Sequence, residues 1–270
     1  MGDKIEFEKI EKIYHFTSLE TALLILENKS LRFGRLNNMN DMHEFDKLVF
    51  VDSNGAKLNT IPSDICDKIQ EDIYKYRQIS FTVDDKSTGK LGFDLHQMWG
   101  LYANKGEGVC LVFDKKELVK NFDDDIIQDR VSYDENVESF YVYCSGDPNK
   151  ITDVILEDNY KLFFHKRKEW EHEQEYRLLK KCLVSTREEY LNFGSALKFI
   201  ILTSKWQDVD NVRYLKDIKT IKSKAGEIPV LIYGNGLLDY SLITSNAENT
   251  IWTAQNGYEP IMGENCVIDV

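Results

Sequence analysis

The sequence reads as an α+β protein: a mixed, mostly antiparallel sheet core of short strands, with helices flanking it. Three observations predict this class. Short β-branched and aromatic runs stand between turn residues, namely I-Y-H-F-T at 13–17, Q-I-S-F-T-V at 78–83, V-C-L-V-F at 109–113 and L-K-F-I-I-L at 197–202. Stretches with helical apolar spacing alternate with them, as in A-L-L-I-L at 22–26. There is no internal repeat, no low-complexity tract and no Pro-rich linker, with four prolines in all. The expected division is a single domain over 1–217, with 218–270 as a C-terminal extension packed on it.

In chain order, residues 13–17 form a strand, and Ser18 caps a helix that buries Ala22, Leu23, Ile25 and Leu26. Residues 31–35 form a second strand. An Asn- and Asp-rich loop then feeds a helix from about Met42. Residues 52–60 turn, 63–76 are helical with Ile65, Ile69 and Ile73 inward, and 78–83 are a strand. Residues 84–91 are an exposed loop. A short helix at 97–103 ends before Gly106 and Gly108, and the uniformly apolar 109–113 is the central strand. Asp114 caps a short helix. Residues 126–133 and 138–143 are strands. Ile151, Val154, Ile155, Tyr160, Leu162 and Phe163 have helical spacing, so a long helix is expected over 151–170. Helices at 186–193 and 207–215 flank the strand 197–202. A strand at 230–233 meets a Gly-Asn-Gly turn at 234–236. The pattern from Asp239 onward is weak.

Composition narrows the function. The 270 residues carry 34 basic and 46 acidic side chains, a net charge of −12. That disfavours nonspecific binding to nucleic acid or anionic membrane, which basic surfaces drive. The start, M-G-D-K-I-E-F-E-K-I-E-K, has no apolar core of the signal-peptide kind. No run reaches the length of a membrane span. The five cysteines are scattered, odd in number and without a C-x-x-C pair. They read as reduced thiols in a cytoplasmic protein.

The most informative stretch is K-R-K-E-W-E-H-E-Q-E-Y-R-L-L at 166–179. It turns from charge-dense to strand-like at Glu175. On a strand, Glu175 and Arg177 share one face, where they can serve a pocket or pair with each other.

Five segments together resemble the bacterial domain-of-unknown-function family 2971. They are Y-H-F-T-S-L-E-T-A-L-L-I-L at 14–26, N-D-x-x-E at 40–44, S-F-T at 80–82, M-W-x-x-Y-A-x-x-x-x-G-V-C-L-x-F at 98–113 and K-x-x-x-W-x-x-E-x-E-Y-R at 166–177. The opening strand-helix unit is also similar to that of the DNA-modifying toxin branch of the ADP-ribosyltransferases. That likeness implies a fold of the same kind and an enzyme that transfers ADP-ribose from NAD to nucleic acid or protein, as a toxin or phage-defence effector does. It implies His15, Tyr102 and Glu175 as the catalytic set, with Tyr14, Thr17, Arg32, Trp99 and Arg177 around the NAD. Arg32 or Arg35 would meet its phosphates.

The chemistry gives each residue a task. Breaking the nicotinamide–ribose bond develops an oxocarbenium-like cation, which Glu175 stabilises. Tyr102 or Trp99 holds the nicotinamide, His15 hydrogen-bonds the adenosine-side ribose through one ring nitrogen, and Glu173 is the nearest base for the acceptor. Each also has a bland role. Glu175 can pair with Arg177 or Lys166, His15 can be a core histidine, and Tyr102 and Trp99 can be packing residues. Asn40, Asp41 and Glu44 can be a capped helix start. Two other function classes stay open. His165, Glu169, His172 and Glu173 would share a helix face and hold a metal for hydrolysis, or the chain is a non-enzymatic regulatory or binding domain.

Overall fold

In the computed structural model the described residues are 10–36, 48–51, 63–134, 140–143, 160–182, 187–207, 212–234, 237–239, 250–253 and 260–262. They fall into two units. One comprises Met1–Leu31, Phe81–Phe122 and Leu191–Val270, the other Arg32–Ser80 and Asp123–Tyr190.

The first unit is built on the most apolar run of the sequence. Strands β1 (Lys12–Thr17), β2 (Ser30–Arg32), β3 (Gly34–Arg35), β4 (Leu48–Val51), β5 (Tyr76–Thr82) and β6 (Val109–Asp114) come first in the chain. In β6, Val109, Cys110, Leu111, Val112 and Phe113 are all fully buried. Such a strand needs a neighbour on each edge and cover on both faces. β1 lies antiparallel on one edge, in the register Ile13↔Phe113 to Thr17↔Val109. Helix α1 (Leu19–Asn28) follows β1 and buries Leu19, Ala22, Ile25 and Leu26. Ser18 Oγ accepts from Thr21 N–H at its start, and Lys29 (φ 50°) closes it in the left-handed conformation.

Two glycines are forced by close approach. A Cβ on Gly92 would fall 2.3 Å from the Tyr14 ring, and one on Gly108 would fall 2.3 Å from the Thr17 carbonyl oxygen. Gly108 therefore brings the chain leaving helix α3 (His96–Leu101) hard against β1, one residue before β6 starts.

The second unit carries helix α2 (Ser63–Ile73) and strands β7 (Ile126–Arg130), β8 (Ser132–Asp134), β9 (Phe140–Tyr143), β10 (His165–Arg167) and β11 (Glu175–Lys181). β11 is hydrogen-bonded to β5 and runs antiparallel to β7. β3 lies antiparallel to β5, with Arg35 opposite Arg77. β10 runs parallel to β8, and β4 parallel to β9.

The rest of the first unit follows a short helix α4 (Lys115–Val119), capped by Asp114, and a short strand β12 (Tyr190–Asn192). β13 (Leu197–Thr203) lies antiparallel on the other edge of β6 and parallel to β14 (Val230–Gly234), with helix α5 (Val212–Ala225) between them in sequence. β15 (Leu237–Asp239), β16 (Thr250–Thr253) and β17 (Pro260–Met262) continue antiparallel from β14. The class is thus α+β with a mixed, mostly antiparallel sheet, as the sequence predicts.

Several local expectations change. Residues 160–173 do not continue a long helix. They form the 3-10 turns Tyr160–Phe164 and Lys168–Glu173 with strand β10 between them. Apolar spacing is ambiguous here because Leu162, Phe163 and Phe164 are consecutive and all buried. Pairing of β10 with β8 then overrides helix propensity. The helix expected at 186–193 is instead strand β12, in which exposed Tyr190 and Asn192 flank buried Leu191. That is a period of two hidden in a charged segment. The helix expected at 207–215 is α5, which runs to Ala225. The strand expected at 126–133 breaks at Val131, whose N–H donates to the Glu175 carbonyl at 2.9 Å. The strand at 31–35 breaks at Phe33, whose N–H donates to the Glu189 carbonyl at 2.9 Å. The motif at 40–44, the helix from Met42, the turn at 52–60 and residues 135–139, 151–159, 208–211 and 235–236 lie outside the described residues. So do the side chains of Ile65 and Ile69.

Candidate functional site

The charged stretch at 166–177 folds back on itself. Lys166 sits on β10 beside Tyr133 of β8. The turn Lys168–Glu173 follows, and Gln174 reverses the chain in the left-handed conformation (φ 45°) before β11 begins. This hairpin-like path returns Glu173 and Glu175 to Lys166. The Lys166 ammonium lies 2.6 Å from Glu173 Oε2 and 2.9 Å from Glu175 Oε2. It also stands 5.6 Å from the Trp170 ring centroid, within cation–π range.

Glu175 and Arg177 point the same way on β11, as the strand period requires. Arg177 Nε donates to Glu175 Oε1 at 2.9 Å and Nη2 to Oε2 at 2.8 Å, a bidentate fork. Its Nη1 donates to the Phe163 carbonyl. The Glu175 N–H donates to Tyr133 Oη at 2.9 Å. Lys166, Glu173, Glu175 and Arg177 are all buried, with Arg177 at 0% exposure. Two cations and two anions leave the cluster neutral as a whole.

Burial by itself would push the Glu175 carboxyl up. The charges of Arg177 and Lys166, with hydrogen bonds from Arg177 and Ser80, outweigh it and hold the group well below the usual carboxylate range. Glu175 is therefore an anion at any ordinary pH. Burial and the neighbouring Glu175 charge push the Tyr133 phenol up, so it stays neutral.

A second set of expected residues lies in the first unit. Tyr14 is fully buried, donates through its hydroxyl to Asp84 Oδ1 at 2.8 Å and meets Phe93 edge-on. Trp99 Nε1 donates to the Phe93 carbonyl at 2.7 Å, and its ring packs edge-on to Phe16 and parallel to Tyr233. Tyr102, half-buried, packs against this aromatic cluster. Thr17 is buried. His15, half-buried, is on the alternate face of β1 from Tyr14, with its ring 5.7 Å from that of Phe81. At the edge of the cluster Tyr233 donates through its hydroxyl to Asp94. Burial, then that hydrogen bond, push the Tyr233 phenol up.

Tyr14, His15, Thr17, Trp99 and Tyr102 thus belong to the first unit, and Arg32, Glu175 and Arg177 to the second. Arg32 is exposed and faces Glu188. His165 is on β10 while Glu169, His172 and Glu173 are in the 3-10 turn, so the four do not share a helix face. Among the described residues no group of three or more His, Cys, Asp or Glu side chains is placed to hold a metal ion.

Sequence reasoning missed Tyr133 and Tyr233. Both lie far in sequence from the residues they serve, and nothing local marks them. Ser80 was visible only as part of S-F-T, without its bond to Glu175.

Residues 98–178 match the profile of a family described as a protein of unknown function, DUF2971. The match takes in α3, β6 and the charge cluster up to Leu178. Searches of curated proteins and of solved structures found no match. No helix among the described residues is long and apolar enough to cross a membrane.

Proposed function

We propose that the chain is an ADP-ribosyltransferase-like enzyme that uses NAD as substrate and modifies a macromolecule, nucleic acid or protein, as a bacterial toxin or phage-defence effector would. The single observation that carries the reading is the state of Glu175. It begins a strand, is buried, and is held ionised by fixed neighbours. A carboxylate that stabilises a ribosyl cation has to be an anion in a place of low dielectric, set before the reaction begins. A group so far below neutrality is unfit to act as a general acid, which restricts its part to electrostatics.

In this reading the bond between the ribose C1′ and the nicotinamide nitrogen breaks, and nicotinamide leaves with the electron pair. The acceptor nucleophile then forms the new bond to C1′ and gives its proton to a base. Glu175 opposes the charge that develops on the ribose. Arg177 positions Glu175. Glu173 is assigned as base, with Lys166 shared between it and Glu175.

A second reading is favoured by a different observation. Both oxygens of Glu175 are bonded by Arg177, and Lys166 compensates the second carboxylate. Buried, balanced clusters of this kind also serve only to specify a fold. The chain would then be a non-enzymatic binding or regulatory domain.

Calorimetric titration of the purified chain with NAD separates the two. The transferase reading expects saturable binding. No heat of binding at millimolar NAD, with the protein folded by circular dichroism, removes it in favour of the binding domain.

A further inference from the structure

Three side chains of the first unit converge at the edge of its aromatic cluster, and the proposed chemistry uses none of them. Asp94 ends the 3-10 turn Gly92–Asp94, His96 begins α3 two residues later, and Tyr233 lies on β14. Tyr233 donates through its hydroxyl to Asp94 Oδ1. His96 Nε2 stands 3.4 Å from Tyr233 Oη and 3.6 Å from Asp94 Oδ1. One nitrogen and two oxygens thus form a triangle that joins two distant segments of the chain.

Two corners of the triangle are fixed. The turn carrying Asp94 is held at Gly92, whose N–H donates to Asp84 Oδ1 at 2.9 Å. It is held again at Phe93, whose carbonyl accepts from Trp99 Nε1 at 2.7 Å. Tyr233 is buried, with its ring stacked on Trp99 and edge-on to Phe93. The third corner is open: the His96 side chain is 72% exposed, against 16% for Asp94. The two edges that meet at His96 Nε2 exceed the usual hydrogen-bond length of about 2.7–3.2 Å. They match the spacing of metal ligands instead, because donors about 2.0–2.2 Å from a tetrahedral zinc stand about 3.3–3.6 Å apart. The third edge is shorter because a hydrogen bond spans it.

We propose that Asp94, His96 and Tyr233 are three ligands of one divalent cation of the zinc class, which clamps β14 to the turn before α3. Imidazole nitrogen and anionic oxygen are donors that such an ion takes, and water fills the fourth position on the solvent side. The Tyr233 hydroxyl proton leaves to solvent as Oη joins the ion. A dication, a carboxylate and a phenolate then sum to zero charge at the rim of an apolar cluster. The net charge of −12 favours cations near the chain in general. The site is independent of the NAD reading and stands or falls without it.

The test is calorimetric titration of the full chain with zinc chloride, with thermal melts of the same samples. One equivalent of zinc is expected to bind and to raise the melting temperature, as any ligand of the folded state does. Magnesium, which demands octahedral oxygen ligands, should do neither. Loss of a group that supports a metal ligand costs about 10–100-fold in affinity, so loss of a ligand should cost about 100-fold or more. That loss is expected in His96→Ala, where an exposed side chain is removed and the fold is spared. It is also expected in Tyr233→Phe, which keeps the ring on Trp99. His172→Ala should bind zinc as the wild type does. Cobalt(II) in place of zinc should give the intense visible bands of a tetrahedral ion, and these should vanish in His96→Ala. Absence of saturable zinc binding overturns the proposal, as does undiminished affinity in His96→Ala. Binding lost in His172→Ala instead would move the ion to the other unit and overturn it too.

Discussion

Replacing Lys166 by Met tests the charge cluster at its most connected member. The ammonium is the only group within 3 Å of both Glu173 Oε2 and Glu175 Oε2 among the ion pairs described, at 2.6 and 2.9 Å. Met keeps the length and the apolar stem. What is lost is one positive charge from a set of two cations and two anions, leaving a buried excess of one negative charge. Removing one partner of a buried pair costs about 3–5 kcal/mol. At about 2–4 °C per kcal/mol for a chain of this size class, the melting temperature should fall by about 6–20 °C. The loss should depend on pH with a definite sign. In the variant, a carboxyl facing a second carboxylate without the ammonium is held above its unfolded value, so protonation relieves it. Thermal melts of both proteins at about pH 8 and about pH 5, above the unfolded carboxyl value of ~4.3, should show a smaller gap at the lower pH. A gap under about 2 °C at pH 8, or one of equal size at both pH values, would refute the idea that the cluster is a dry, balanced set of charges.

Other outcomes follow from the same geometry. In the wild type the folded carboxyl of Glu175 lies below its unfolded value, so its contribution to stability is complete above about pH 5 and is lost as pH falls through ~4 and below; acid melts should show this decline, and Glu175→Gln should flatten part of it. Gly108→Ala puts a Cβ 2.3 Å from the Thr17 carbonyl oxygen and 2.7 Å from Ala103 Cα. Backbone cannot step aside, so a loss of about 1–3 kcal/mol or more is expected in denaturant unfolding. Turnover of NAD should survive a chelator, because every assigned group is a carboxylate or a hydrogen-bonding side chain; loss of activity restored by zinc would revive the His165 and His172 reading.

The fold was legible where one periodicity spoke alone. V-C-L-V-F has no polar residue to confuse a strand with a helix, and it lies in the middle of the first unit's sheet. S-L-E-T before an apolar run is a helix start, and Ser18 caps it. The 160–173 stretch was misread because tertiary pairing with β8 decides it, and no local pattern records that partner. The pairing of Glu175 with Arg177 could be anticipated from their spacing on one strand. The inclusion of Lys166 could not, because it depends on a left-handed Gln174 that turns the chain back. A non-glycine residue in that conformation leaves no clear mark in sequence. His15 and Tyr14 illustrate a further limit. Both are visible as part of I-Y-H-F-T, but alternation sends them to opposite faces of β1, and only the structure says which face is fully buried.

The central claim is that the buried anion Glu175 does chemistry on NAD, and one paired measurement bears on it most directly. Melting temperature and NAD consumption are read on the same sample of Glu175→Gln, with the wild type beside it. Gln keeps the size and much of the hydrogen bonding and removes the charge. The expected result is retained NAD binding with turnover lower by orders of magnitude in the folded fraction, beyond anything the change in stability accounts for. A variant that melts lower yet turns over NAD normally per folded molecule would contradict it, and would leave Glu175 as a partner of Arg177 and Lys166 alone.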